Sequence, residues 1–81
     1  MKKRVGVKVY STQTCVWCEK AKEFFISNGV KFTDIDVGSN RKAAEEMIKK
    51  SHQMGIPVID IGGKIIVGYD EKAFKTALKM I

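Results

Sequence analysis

The stretch Val7-Lys8-Val9-Tyr10-Ser11-Thr12-Gln13-Thr14-Cys15-Val16-Trp17-Cys18 carries the chain from a strand pattern into a helix pattern across its only two cysteines. Upstream, Val5, Val7 and Val9 alternate with Gly6, Lys8 and Tyr10, the period of two that marks a strand from about Val5 to Tyr10. Ser11-Thr12-Gln13-Thr14 is then a polar turn. Downstream, Cys18, Ala21 and Phe25, with Phe24 and Ile26 beside them, recur at helical spacing. They predict a helix from Cys15 or Val16 to Ser27, stopped by Asn28-Gly29. The thiols therefore fall where a helix begins, and unpaired amides and the helix dipole favour a thiolate there. That is the geometry of a dithiol redox site.

Other uses of the cysteines fit less well. A bridge between residues so close in sequence would constrain little of the unfolded chain. The two cysteines and the sole histidine, His52, leave a tetrahedral zinc site one ligand short. Cys15, open at the helix start, is the expected nucleophile, and Cys18, one turn further in, is placed to attack a mixed disulfide on Cys15. Trp17 either caps a core edge or offers a contact surface. Thr12 and Thr14 read as turn residues, Lys20 and Lys22 as a solvated helix face, and His52 as a surface loop residue.

The remaining elements follow in order. Lys31 to Val37 alternates again, with Phe32, Ile35 and Val37 as apolar anchors of a second strand. Gly38-Ser39-Asn40 caps a helix from Arg41 to Lys50, whose apolar face is Ala43, Ala44, Met47 and Ile48. A short crossover of this kind makes the first two strands parallel. Ile56 to Ile61 and Lys64 to Gly68 flank Gly62-Gly63 as a hairpin. Pro57, the only proline, lacks a ladder amide and points to a strand start, an edge, or a special backbone such as a cis bond. Asp70 caps a last helix, Glu71 to about Met80, with Phe74, Ala77, Leu78 and Ile81 on one face. The order is βαβαββα, an α/β fold, and residues 1–81 are expected to form one domain.

Charge and leader signals set the setting. Lys and Arg number 15 against 9 Asp and Glu, a net charge of +6, but the basic residues are spread along the chain and predict a solvated surface. Without a basic stripe or an array of stacking aromatics, no nucleic acid is expected as a partner. Met1-Lys2-Lys3-Arg4 has the charge of a signal-peptide start, but Val5 to Tyr10 is too short and too polar to follow it as a leader. No stretch reaches membrane-spanning length. A cytoplasmic, monomeric protein with no membrane partner is expected, in a compartment where a C-x-x-C is catalytic or metal-binding rather than structural.

The chain resembles the glutaredoxin family, in particular the short prokaryotic glutaredoxin-like and NrdH-type redoxins, along nearly its whole length. The resemblance rests on Val9 to Cys18, on Gly55-Ile56-Pro57-Val58, and on Val67-Gly68-Tyr69-Asp70, in the right order and spacing. It implies a thioredoxin fold: a four-stranded mixed sheet in the order second-first-third-fourth, flanked by three helices, with a cis bond before Pro57. It implies thiol–disulfide oxidoreductase activity on protein or glutathione mixed disulfides through Cys15 and Cys18, with no permanently bound cofactor. It also implies a substrate groove: Thr14, Val16 and Trp17 around the thiols, the Ile56 backbone pairing with the substrate chain, Tyr69 lining the groove, and Asp70 meeting the γ-glutamyl ammonium of glutathione. A glutathione-bridged dimer holding an iron–sulfur cluster is the alternative, favoured by the absence of proline after Cys15. Three motifs depart from the pattern of many glutathione-using members: Val16-Trp17 replaces Pro-Tyr, Thr12 replaces a lysine that anchors the glycyl carboxylate, and Gly55-Ile56-Pro57 replaces Thr-Val-Pro. They set reduction by a thioredoxin reductase beside reduction by glutathione.

Overall fold

Alternation along β1 (Val7–Ser11) decides what lies on each face of the sheet. The computed structural model describes residues 6–79. Further elements are α1 (Val16–Ser27), β2 (Thr33–Asp36), α2 (Arg41–Ser51), β3 (Val58–Ile61), β4 (Lys64–Val67) and α3 (Glu71–Lys79). The strands form one sheet in the order β2-β1-β3-β4, with β1 parallel to β2 and the other neighbours antiparallel. This is the thioredoxin arrangement that the family resemblance implied.

Because side chains alternate, register fixes the partners on each face. Val7 and Val9 pair with Ile61 and Ile59, and these four lie under α1 and α3 with Phe24, Phe25, Phe74 and Ala77. Phe25 and Phe74 meet at 5.1 Å between ring centroids, the shortest of the aromatic contacts in that layer. The opposite face packs Tyr10 and Val58, a registered pair, against Met47 of α2, with Ile35, Ile56 and Ile65 around them.

Tyr10 corrects the reading of β1. Its place in the polar half of the alternation assigned it no core role, yet it is fully buried. The strand is central and covered on both sides, so both halves of its alternation are interior. Ile26 and Ile48 correct in the other direction. Each is exposed, because Phe24, Phe25 and Met47 already fill the faces their helices turn to the sheet. Strand β2 is shorter than the alternation suggested, leaving Phe32 and Val37 just outside it as packing residues. Strand β3 starts at Val58, after the proline. Val5, Met80 and Ile81, assigned to the first strand and last helix, lie outside the described residues.

Turn chemistry follows the sequence closely. Gly62 and Gly63 both have positive φ, as a two-residue hairpin turn of this hand requires. Gly29, at φ 69°, ends α1. The stop of α2 is His52, at φ 60° and ψ 28°, whose amide donates to the Ile48 carbonyl at 2.7 Å. Glycine is the residue this left-handed cap favours. His52→Gly is therefore expected to raise stability by about 0.5–1 kcal/mol, seen as a higher urea midpoint at unchanged slope.

Candidate active site

Position Cys15 first. Its backbone is extended, at φ −97° and ψ 113°, and its sulfur accepts a hydrogen bond from the Cys18 amide at 3.2 Å, so the side chain is the N-cap of α1. Caps are ordinarily oxygen acceptors. Here a sulfur takes the place, beside the unpaired amides that open the helix. Cys15 is half-buried, whereas Cys18 is fully buried, and both are free thiols.

The second sulfur has the opposite environment. Burial pushes the Cys18 thiol up to about 12, helped by its hydrogen bond with Cys15 and by the charge there, while a Thr12 backbone hydrogen bond and the charge of Lys22 partly offset this. Two thiols one helical turn apart thus have different exposure and surroundings.

The loop before Cys15 is tied down from two directions. The Ser11 carbonyl accepts from the Val37 amide at 2.9 Å, and Gln13 Nε2 donates to Asp36 Oδ2 at 3.3 Å. The Gly38 amide, first among several donors, holds the Asp36 carboxyl below the usual carboxylate range. Beneath the loop, Ser11 Oγ donates to Asp34 at 2.8 Å, and Lys22 bridges the same carboxylate at 3.0 Å and Glu19 at 3.3 Å. Burial opposes the Lys22 charge, but these two acids outweigh it and raise its pKa. Lys22 is therefore an anchor between α1 and β2 rather than part of a solvated face. Period two explains the meeting: Ser11 and Asp34 fall on the α1 side of the sheet.

Across from the thiols, the Ile56–Pro57 peptide bond is cis. A small cavity of about 230 Å³ brings Trp17 against Ile56, Pro57, Gly68 and Tyr69. The Pro57 carbonyl accepts from the Gly68 amide at 2.8 Å, closing the start of the hairpin. Among the described residues, no backbone hydrogen bond is made by the amide or carbonyl of Ile56. Trp17 is 57% exposed, its ring centroid 5.9 Å from that of Tyr69, with the Lys20 ammonium 5.9 Å from the Trp17 ring centroid. Of the two readings of Trp17, sealing a core edge is not what the fold shows: more than half of the side chain is open to solvent. Tyr69 donates to Glu71 at 2.8 Å, which raises its pKa.

The remaining expected residues are on the surface. Thr14 and Val16 are exposed on either side of Cys15. Asp70 is exposed and caps α3, accepting from the Ala73 amide at 3.1 Å. His52 is exposed at the end of α2. The sequence reading missed the Ser11–Asp34–Lys22 anchor and the Trp17–Tyr69 contact. The signals were an acid in the second strand and a lysine one turn after Cys18, which only the register joins.

A thiol cap on the first helix and a cis proline opening the third strand of this sheet define the thioredoxin-fold redox proteins. The glutaredoxin family model matches residues 7–66. A glutaredoxin-like 8.6 kDa protein from the rubredoxin operon of Clostridium pasteurianum is 48% identical over 65 residues, covering 80% of this chain and 87% of the relative. Glutaredoxin 3 of Escherichia coli K12 is 37% identical over 66 residues, covering 82% of this chain and 80% of the relative. Among solved structures, the glutaredoxin of Archaeoglobus fulgidus aligns with a TM-score of 0.85 at 28% identity, covering 93% of this chain and 87% of that one. The chain belongs to the glutaredoxin family. No helix among the described residues is long and apolar enough to cross a membrane.

Proposed function

We propose that the chain reduces disulfides of proteins, or their mixed disulfides with glutathione, with Cys15 as nucleophile and Cys18 as resolving thiol. The observation that carries this reading is the inequality of the two sulfurs, one capping a helix at the surface and one buried with its pKa pushed up to about 12. Cys15 thiolate attacks one sulfur of the substrate disulfide. The substrate S–S bond breaks, and the departing thiolate takes a proton as a Cys15 mixed disulfide forms. Cys18 then gives up its proton and attacks the Cys15 sulfur, releasing the second substrate thiol and leaving a Cys15–Cys18 disulfide. An external donor, glutathione or a thioredoxin reductase, restores the dithiol.

The causes of the Cys18 shift also order these steps. Burial remains throughout, but the hydrogen bond and charge contributed by Cys15 are lost once Cys15 is bound to substrate. Cys18 becomes easier to ionise when the mixed disulfide exists for it to attack. The open amide and carbonyl of Ile56 support pairing with the substrate main chain, as a short added strand. Asp70 has one carboxylate oxygen on the α3 cap, and among the described residues its other accepts no hydrogen bond, which supports its meeting a ligand ammonium.

The test is trapping. Cys18→Ser incubated with a disulfide-bearing protein is expected to accumulate a mixed disulfide on Cys15, visible as a mass adduct that dithiothreitol removes. An adduct absent from this variant, with wild-type turnover intact, would defeat the assigned roles. Offering the oxidised wild type glutathione with glutathione reductase, and separately a thioredoxin reductase with NADPH, identifies the donor.

A further inference from the structure

A second cavity shares the Trp17 and Tyr69 side chains. The cavity beside Pro57, at about 230 Å³, is below the size of ordinary ligand pockets, about 300–1,000 Å³. The same two aromatic side chains also line a groove of about 510 Å³ that runs between α1 and α3. On α1 its wall is a stripe at helical spacing, Trp17, Lys20, Glu23 and Ser27, and on α3 it is Glu71 and Lys75. At a rise of about 1.5 Å per residue, Trp17 and Ser27 stand about 15 Å apart along the helix.

We propose that this groove is a second binding site, for the extended segment of a partner protein that flanks its disulfide cysteine. The inference rests on the thiol reading above, since it takes the partner's cysteine to be engaged by Cys15. Three observations support a peptide. A length of about 15 Å holds four to five residues of extended chain at about 3.3 Å each. Each wall presents both signs of charge, with Lys20 and Glu23 on one side and Glu71 paired to Lys75 at 3.5 Å on the other, so the groove is near neutral on a chain of net charge +6. Such walls suit an uncharged stretch of chain better than a polyanion. The groove also shares the Trp17 and Tyr69 rings as a wall with the cavity at the cis proline, so a chain held at the proline lies next to it.

The experiment is a single turnover of pre-reduced protein with three homodisulfides. One is of N-acetylcysteine methylamide, and the others are of peptides with five alanine or serine residues before or after the cysteine. One of the long peptides is expected to be reduced about tenfold faster than the short disulfide. Ser27→Trp and Lys75→Trp, on opposite walls and both exposed in the wild type, are each expected to cancel that advantage, with the short disulfide reduced within about twofold of the wild-type rate. Equal rates for all three substrates, or an advantage that survives both substitutions, would overturn the groove. A wild-type dimer dissociated by both substitutions, with equal peptide rates, would overturn it in favour of a second copy of the chain. Failure of the wild type to reduce even the short disulfide would instead overturn the thiol reading, and the groove with it.

Discussion

Cys15→Ser is expected to lose disulfide reduction by on the order of 10³-fold or more, measured with bis(2-hydroxyethyl) disulfide, as for removal of a nucleophile elsewhere. The only other thiol cannot substitute for it. Cys18 has no exposed surface, and with its pKa near 12 only about one molecule in 10⁵ carries a thiolate at pH 7. A hydroxyl at position 15 still accepts the Cys18 amide and keeps α1 capped, so the loss reports chemistry and not unfolding. Cys18→Ser is expected to behave differently, keeping the first half of the reaction and stopping at the mixed disulfide. The same inequality has a stability signature. The folded chain holds the Cys18 proton more tightly than the unfolded chain does, so its contribution is fully present below about pH 9 and is lost as pH rises toward about 12. Urea midpoints of the reduced wild type are expected to fall over that window, and Cys18→Ser is expected to flatten that part of the profile.

Much of the fold was legible because local signals agreed with one another. The Gly62-Gly63 turn, the Asn28-Gly29 stop and the Asn40 and Asp70 caps each name a conformation, and each conformation is found. The placement of both thiols at the start of α1 was equally legible, since they lie within one turn of each other in sequence. What escaped was whatever depends on two faces or two distant segments. Tyr10 looked polar because alternation cannot tell a half-covered strand from one covered on both sides. Lys22 looked solvated because Asp34, its partner, stands across the α1–β2 connection in a strand whose own register had to be known first. Trp17 and Tyr69 are more than fifty positions apart and meet only after the hairpin folds back.

Asp60 makes the same point and carries the second large effect. It interrupts the apolar run Val58-Ile59-Asp60-Ile61, and it lies on the α2 face of the sheet, where it is 8% exposed. One oxygen accepts from Lys50 of α2 at 2.7 Å, and the other from the Gly63 amide of the hairpin turn at 2.8 Å. Lys50 also donates to the buried Tyr10 hydroxyl at 3.0 Å and stands 5.4 Å from that ring's centroid. Asp60→Ala leaves an ammonium, an amide and a cavity without their partner, and is expected to cost about 3 kcal/mol, the low end for breaking a buried pair because Lys50 keeps some solvent. Lys50→Met is expected to cost less than Asp60→Ala despite removing the same bridge, since its apolar stem can stay packed and the Gly63 amide keeps its acceptor. The pH dependence separates the electrostatic part. The hydrogen bond with Asp60, then that with Tyr10, raises the Lys50 pKa, so the bridge stabilises the fold fully below the ordinary lysine value of about 10.4 and its contribution falls as pH rises beyond it. Oxidation of Cys15 and Cys18 to a disulfide removes the thiol titration that would overlap this window. In the oxidised protein, urea unfolding of the wild type is therefore expected to weaken above about pH 10.4, and Asp60→Ala to show a shallower decline from its lower starting point. A decline as steep in Asp60→Ala as in the wild type would show that the bridge contributes through packing alone.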